Sequence, residues 1–575
     1  MDNILEIRDL KTFFNMRYEG KKEYVSLKAV NGISMDVPKG STVCIVGESG
    51  CGKSVTALSV MGLIKAKEGT VMEGSISYNK DGNKIELVGA NEKTLIDIRR
   101  NDISMIFQEP MTSLNPVYTI GHQVLEAIKL YKGSATKKEA LELIDMVEID
   151  DSENVFDMYP HELSGGMRQR IMISLALASK PKLIIADEPT TALDVTIQKQ
   201  ILLLLDNLKK KTGCSILMIT HDLGVVSEIA DYIYVMYCGK IIEQGSCEQI
   251  TMAPVHPYTR DLFKCRPDVK KPRERLYNIK GNVPSPINLK DNCYFSDRCE
   301  CTCDECYKKI PQLTEVFDGH FVRCCNYNAY NNVKLDKTIW DAPLDNEPVI
   351  EVKNLCKSFS SRKNIFGKVN KKEVLKDVSF KVRKGTTLGL VGESGCGKTT
   401  VGKCILKLVK DIDSGEILFE NENIYEYDRE HLRKFRTKAQ MIFQDPYSSL
   451  SPKMKVIDII KEGVIEHEIV GDKEADEYCY KVMEECGLSR DAGGKYPKDF
   501  SGGQRQRICI ARAIALKPDF LVCDEPVSAL DVSIQAQIIN LLRKIQKERG
   551  ISLLFISHDL SVVKHISDEI CVINN

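Results

Sequence analysis

The chain has 575 residues, with 80 Lys and Arg against 81 Asp and Glu and a formal net charge of −1. That length predicts two to four domains, and the even charge balance argues against an extended nucleic-acid footprint. No apolar run approaches the roughly 18–20 residues that a spanning helix needs, and the N-terminus lacks the basic-then-apolar pattern of a secretory signal, so a cytosolic setting is expected.

In chain order, residues 1–40 read as strands and turns. Val43-Cys44-Ile45-Val46 predicts a short buried strand, and residues 55–64 predict a helix. Between them stands Gly47-Glu48-Ser49-Gly50-Cys51-Gly52-Lys53-Ser54, which fits the phosphate-binding pattern G-x-x-x-x-G-K-S/T. Gly47, Gly50 and Gly52 let the backbone wrap so that successive N–H groups, that of Ser49 included, face phosphate oxygens. Lys53 brings positive charge to the β- and γ-phosphates, and the Ser54 hydroxyl can bind Mg2+. The dipole of the following helix favours the same anion.

Residues 66–100 read as polar and strand-rich. Ser104-Met105-Ile106-Phe107 predicts a strand running into Gln108-Glu109-Pro110, which leaves Gln108 at a strand end. Residues 119–150 show helical periodicity and read as an inserted helical subdomain. Leu163-Ser164-Gly165-Gly166-Met167 is a turn opening a helix. Leu183-Ile184-Ile185-Ala186-Asp187-Glu188-Pro189 is a buried strand that ends in two carboxylates, and Ala192-Leu193-Asp194 follows in a turn. Leu217-Met218-Ile219-Thr220-His221 is another apolar strand, ending in histidine.

The whole order repeats. Gly392-Glu393-Ser394-Gly395-Cys396-Gly397-Lys398-Thr399 is a second phosphate loop, with Lys398 − Lys53 an offset of 345. Gln444 − Gln108 is 336, while Gly502 − Gly165, Asp524 − Asp187 and His558 − His221 are each 337. A near-constant offset of this length means a duplicated domain. Phe14 and Phe359 occupy matching positions upstream of the two loops, where a ring could stack on adenine or simply belong to a strand core.

The repeated side chains carry one chemistry. Asp187 and Asp524 end apolar strands, as a carboxylate does when it helps to hold Mg2+. Glu188 and Glu525, next in line, can polarise an attacking water as general bases. Gln108 and Gln444 can bind Mg2+ or that water through an amide oxygen, and His221 and His558 can reach a γ-phosphate. Ser164-Gly165-Gly166 and Ser501-Gly502-Gly503 offer free N–H groups and a hydroxyl at a helix start, a second phosphate cradle.

P-loop, glutamine loop, Ser-Gly-Gly signature, acidic strand end and histidine, in this order and twice over, resemble an ABC-type ATPase. The resemblance implies an α/β fold: two P-loop NTPase nucleotide-binding domains, each with a helical subdomain. It also implies head-to-tail pairing, in which Lys53, Ser54, Gln108, Asp187, Glu188 and His221 share one ATP with Ser501, Gly502 and Gly503. Lys398, Thr399, Gln444, Asp524, Glu525 and His558 would share the other with Ser164, Gly165 and Gly166. Tyr159–Arg170 resembles the first ATPase of dipeptide, oligopeptide and nickel importers, and Cys523–Gln537 the second, so the chain resembles those two subunits fused.

The expected domains are 1–262, a Cys-rich extension and linker over 263–346, and 347–575. In the first copy Tyr237–Gly245 predicts a hairpin, which the second copy lacks. Of the 21 cysteines, seven fall within the 33 residues from 293 to 325 (Cys293, Cys299, Cys301, Cys303, Cys306, Cys324 and Cys325), which exceeds core usage and reads as metal binding. The set Cys293, Cys299, Cys306 and Cys324 resembles the four cysteines that follow the first ATPase of peptide importers, which implies a 4Fe-4S cluster; zinc is the alternative. Cys51 and Cys396, each beside a lysine at a helix start, read as reactive thiols. The expected cofactors are therefore ATP, Mg2+ and the cluster. The expected partners are two membrane permeases and, indirectly, an extracellular solute-binding protein, with the chain peripheral on the cytoplasmic face and no nucleic acid bound. Import of nickel is one alternative, and a soluble twin-ATPase acting on ribosomes or DNA is another.

Overall fold

This computed structural model describes residues 2–17, 24–64, 70–108, 113–191, 193–267, 275–287, 289–332, 347–362, 369–393, 395–528 and 530–574. Ser394, Pro110, Ala192 and Ala529 lie outside the described residues. Internal contacts divide the chain into Met1–Lys264 with Ile279–Lys334, and Cys265–Asn278 with Leu335–Asn575.

In the first unit, β1 (Asn3–Arg17), β2 (Tyr24–Pro38), β4 (Thr70–Lys80) and β5 (Asn83–Glu86) form an antiparallel sheet in the order β2-β1-β4-β5. A second sheet is built from β3 (Thr42–Val46), β6 (Ile103–Ile106), β7 (Leu183–Asp187), β8 (Ser215–Thr220), β9 (Tyr232–Tyr237), β10 (Lys240–Ser246), β11 (Thr314–Phe317) and β12 (His320–Val322). Its order is β11-β12-β10-β9-β3-β8-β7-β6, with β9, β3, β8, β7 and β6 parallel. Every residue of β3, β7 and β8 is buried, as continuous apolar runs in a parallel sheet covered on both faces should be. The core joins Ile45, Ile185 and Leu217 of this sheet to Leu5, Val30 and Ile76 of the antiparallel one.

The helical insertion comprises Ile120–Lys132, Lys137–Met146 and Ser152–Asp157. A capping box at Thr136 and Glu139 opens its second helix, satisfying first-turn N–H groups that would otherwise lack partners. Within the stretch over 66–100, β4 and β5 meet the strand-rich expectation, but its last third does not. After β5 the chain forms the helix Glu92–Asn101, whose Asn91 cap accepts from the Thr94 N–H and whose Leu95 and Ile98 are buried. Only two residues of a ten-residue helix point inward, too few to register as a periodic pattern against a polar background.

The Cys-rich segment is not freestanding. β12 pairs antiparallel with β10, bringing Val322 opposite Glu243. The fully buried Glu243 carboxylate accepts from the Val255 and His256 N–H groups and lies 2.8 Å from His320 Nε2. Those bonds satisfy a charge that burial alone would penalise, and they fasten the segment to the first unit.

In the second unit, β13 (Pro348–Arg362), β14 (Val369–Arg383), β16 (Ser414–Phe419) and β17 (Glu422–Asn423) repeat the antiparallel sheet in the order β14-β13-β16-β17. β15 (Thr387–Val391), β18 (Ala439–Ile442), β19 (Phe520–Asp524), β20 (Ser552–Ile556) and β21 (Glu569–Val572) form a parallel sheet in the order β18-β19-β20-β15-β21. Among the described residues β21 is its edge, with Ile570 and Val572 exposed. In the first unit the matching strand, β9, turns through Cys238 and Gly239, both at positive φ, into β10.

Candidate functional site

Each phosphate loop leaves the end of a buried strand and enters a helix, Lys53–Val60 or Lys398–Ile405. Gly52 at φ 102° and Gly397 at φ 98° occupy the N-cap positions, and neither helix has a side-chain cap. The first-turn N–H groups are thereby left to face an anion. Gly52 is required for space as well as for φ. A Cβ there would stand 2.3 Å from the Ala29 carbonyl oxygen of β2.

The Lys53 ammonium folds over its loop, donating to the carbonyls of Gly47 (2.7 Å) and Glu48 (3.1 Å). Lys398 does the same to Gly392 and Glu393, at 2.8 Å each. The Ser54 hydroxyl donates to Asp187 Oδ1 at 3.0 Å, and the Thr399 hydroxyl to Asp524 Oδ1 at 3.0 Å. Burial raises Asp187 to about 6, against the pull of the Ser54 hydrogen bond; the Glu188 charge adds to the rise. Asp524 stands at about 6 for the same reasons, with Thr399 and Glu525 in the corresponding places. A hydroxyl and a costly buried carboxylate in contact suit a divalent cation, whose charge would offset the burial.

The neighbouring glutamates are held differently. Glu188 and Glu525 sit at φ 48° and 44°, a left-handed conformation that ordinary residues seldom adopt and that functional sites retain. The Gln108 amide donates to Glu188 Oε2 at 2.9 Å, the Thr191 hydroxyl donates to the same oxygen at 2.9 Å, and His221 Nδ1 lies 3.2 Å from Oε1. Burial would raise the Glu188 carboxyl, yet the His221 hydrogen bond and charge, with Lys53 and Thr191, bring it down to about 2. In the second unit Gln444 donates to Glu525 Oε2 at 2.8 Å, and His558 Nδ1 stands 3.2 Å from Oε1. Burial again opposes ionisation of Glu525, and the His558 hydrogen bond and charge again prevail, holding it below its usual range. Burial depresses His558, but the Glu525 hydrogen bond more than reverses this and raises it.

The Ser-Gly-Gly turns open the helices Gly165–Leu177 and Gly502–Ile514. Ser164 accepts from the Met167 N–H, and Ser501 from the Gln504 N–H. Both serines are exposed. A Cβ on Gly166 would stand 2.8 Å from Ile197, and one on Gly503 2.4 Å from Ile534. The second glycine of each turn is thus set by packing against the helix that follows the acidic strand. Phe14 is half-buried on β1, and Phe359 is exposed on β13 with Lys357 Nζ 5.4 Å from its ring centroid.

Cys51 and Cys396 are buried, at 1% and 3% exposure. Each thiol packs under its own loop; a Cβ at Gly47 would be 2.9 Å from Cys51 Sγ. The expectation of reactive thiols is corrected accordingly: a reagent cannot reach either sulfur while the loop is folded.

Cys293, Cys299, Cys306 and Cys324 share one neighbourhood. Burial raises Cys293 to about 11, with the Cys306 and Cys325 charges adding, and raises Cys324 to about 12, with Cys293 and Cys306 adding. Cys299 rises through burial, aided by Cys301, Cys324 and Cys293. Cys303 Sγ and Cys306 Sγ are 3.6 Å apart. Among the described residues, however, no group of three or more His, Cys, Asp or Glu side chains stands in metal-holding geometry.

Sequence reasoning missed three contacts. Thr191 bonds the first glutamate, Tyr258 OH accepts from the Glu48 N–H at 2.9 Å, and Arg298 pairs with Glu48 inside the first phosphate loop. Glu48 occupies one of the pattern's unrestricted positions, so only its charge could have signalled a partner.

Comparison with known proteins agrees with this geometry. Residues 30–191 and 375–528 match the ABC transporter family, and residues 242–306 match the family described as oligopeptide/dipeptide transporter, C-terminal region. The chain is 41% identical over 574 residues to a glutathione import ATP-binding protein of Pectobacterium atrosepticum, covering 99% of this chain and 84% of that one. A glutathione import ATP-binding protein of Escherichia coli is 41% identical over 576 residues, with 99% and 84% covered. A crystal structure of an archaeal ribosome recycling factor in complex with a ribosomal stalk protein is 19% identical, with a TM-score of 0.53, covering 94% of this chain and 85% of that one. At that identity the likeness is one of fold alone.

Proposed function

The chain belongs to the ABC transporter family as an ATP-binding importer subunit with two cassettes in one polypeptide, and from that premise we propose that it powers the uptake of glutathione or of short peptides like it. The observation that carries the proposal is the match of residues 242–306 to the oligopeptide/dipeptide transporter region, within a chain 41% identical to glutathione importers along 99% of its length. Nickel import and ribosome or DNA work have no comparable support, since the ribosome factor shares the fold alone.

In this reading Gly47, Ser49, Gly50, Gly52 and Lys53, with Gly392, Gly395, Gly397 and Lys398, bind the phosphates of two ATP molecules. Ser54, Asp187 and Gln108, and Thr399, Asp524 and Gln444, would hold Mg2+, which supplies charge neutralisation at the β- and γ-phosphates. Glu188 and Glu525 orient the attacking water. The hydrogen bonds from Gln108 and Gln444 aim each carboxylate, and the contacts with His221 and His558 keep it ionised. A carboxylate held near 2 is a weak base, so its contribution is alignment and charge more than full proton removal. The Ser164 and Ser501 turns are assigned as second phosphate contacts, and Phe14 and Phe359 as adenine-stacking rings.

Among the described residues no helix is long and apolar enough to cross a membrane, so transport requires permease partners. A groove of about 900 Å³ in the second unit, lined by Leu408, Phe443, Met454, Ile465 and Glu466 beside the Gln444 loop, is proposed as a face that receives one permease at the cytoplasmic side of the membrane. Cys293, Cys299, Cys306 and Cys324 are proposed to hold a 4Fe-4S cluster, with zinc as the alternative; the convergence of thiols supports the donor set.

The test is uptake by vesicles carrying the chain with its permeases and binding protein. ATP-dependent accumulation of labelled glutathione or a dipeptide is expected. Accumulation of nickel alone, or recovery of the chain with ribosomes and not with membranes, would overturn the reading.

A further inference from the structure

The first phosphate loop is tied to the Cys-rich segment through a buried ion pair. Glu48, inside the loop, and Arg298 are 2% and 5% exposed. The guanidinium grips the carboxylate with both arms, Nη1 to Oε2 at 2.7 Å and Nη2 to Oε1 at 3.1 Å. Two further donors are also used, Nη1 to the Tyr237 hydroxyl at 3.2 Å and Nε to the Lys280 carbonyl at 3.0 Å. Tyr237, Tyr258 and Phe295 pack against one another around it, with ring centroids 4.8–5.4 Å apart. Tyr258 in turn accepts from the Glu48 N–H. A forked pair this fully satisfied fixes geometry as well as charge.

Glu48 is not a bystander in the loop. Its carbonyl is one of the two that receive the Lys53 ammonium, so the side chain that Arg298 holds and the oxygen that positions Lys53 belong to one residue. On the other side, Arg298 lies in a compact turn. The Ser296 N–H donates to the Cys293 carbonyl, Arg298 N–H to Phe295 and Cys299 N–H to Ser296. Two of the clustered cysteines thus bracket Arg298 in one short turn. The second phosphate loop has no counterpart: Glu393 is exposed and, among the described residues, makes no ion pair.

We propose that Arg298 is a positioning residue for the first ATP site, coupling the Cys293–Cys299 turn to nucleotide affinity at Lys53 and leaving the second site independent. The cysteine segment then regulates one of two otherwise matching sites. Anything that reshapes the turn, such as oxidation or ligation of its thiols, acts on the first loop through a single guanidinium. The proposal rests on the reading of the two loops as ATP sites.

The test uses the full chain with Mg2+ and a fluorescent ATP analogue, reading the first site in a Lys398→Ala background and the second in a Lys53→Ala background. Absence of nucleotide binding in both backgrounds, with Arg298 intact, would fail the ATP-site reading itself. With binding present, Arg298→Gln is expected to weaken the first site roughly tenfold or more and to leave the second within about twofold, because it strands one buried charge next to one loop only. Arg298→Lys should fall between, keeping the charge and losing the fork. A first site unchanged by Arg298→Gln, or an equal loss at both sites, overturns the proposal. Hydrogen exchange on the unaltered chain gives a second reading that needs no variant: saturating Mg2+ and ATP should slow amide exchange across residues 293–299, and an unchanged rate there overturns the coupling even if Arg298→Gln fails to fold.

Discussion

Asp187→Asn should make the nucleotide-free protein more stable while removing its ability to use Mg2+ and ATP at the first site. Asp187 is 5% exposed and its carboxyl is lifted from an ordinary 3.8 to about 6, chiefly by burial. A carboxyl that holds its proton more tightly folded than unfolded favours folding in acid. That stability is fully present below the unfolded value and is lost as pH rises through the folded one. The gap of about two units, at 1.36 kcal/mol per unit, corresponds to about 3 kcal/mol above pH 7. At pH 5 the same two values leave only about half of that cost. Asparagine keeps the shape and the oxygen that accepts from Ser54, and it carries no charge to desolvate. The substitution is therefore expected to stabilise the first cassette by about 3 kcal/mol at pH 7.5 and about half as much at pH 5, or roughly 6 °C or more in melting temperature at the higher pH. Differential scanning calorimetry in EDTA measures this, with Asp524→Asn shifting the other cassette's transition as the internal comparison. If Asp187→Asn is no more stable than the parent at pH 7.5, or its gain does not grow between pH 5 and pH 7.5, the buried-charge account of the site is wrong.

The catalytic pairing predicts that Glu188→Gln and Glu525→Gln each lower steady-state ATP hydrolysis; a variant that retains the parent rate marks its site as non-catalytic. Gly503→Ala should cost about 1–3 kcal/mol, because its Cβ would stand 2.4 Å from Ile534 Cγ2, and Ile534→Ala in the same chain should recover part of the loss in a melting experiment. Anaerobically purified protein should show visible absorption and about four iron and four sulfide per chain; a colourless, zinc-loaded protein would refute the iron–sulfur proposal.

What the sequence made legible follows from what each residue touches. Under the proposed function, Lys53, Ser54, Asp187, Glu188, Gln108 and His221 serve a ligand of fixed shape, and their types and spacing recur at Lys398, Thr399, Asp524, Glu525, Gln444 and His558. Duplication then exposed both the fold and the site at once. The β9–β10 turn was legible through Gly239, which takes its positive φ without steric cost, and a two-residue hairpin loop has few solutions. The helix Glu92–Asn101 was not, because only Leu95 and Ile98 carry its inward face. The cysteines announced a cluster of thiols by count alone, but spacing says nothing of where such a cluster is fastened.

The least legible feature is the one that breaks the symmetry of the two sites. Glu48 and Glu393 occupy the same position of the same octet, yet one is buried against Arg298 and the other is exposed. The partners lie 250 residues apart in the chain, and nothing local to either demands the other. A motif records what the loop offers to phosphate; it does not record what holds the loop from behind. Two sequences that match residue by residue at the ligand can therefore differ in the stiffness of the loop that presents it. The side chain that sets this difference sits in a segment that stands out in the sequence by its cysteines and not by its arginine.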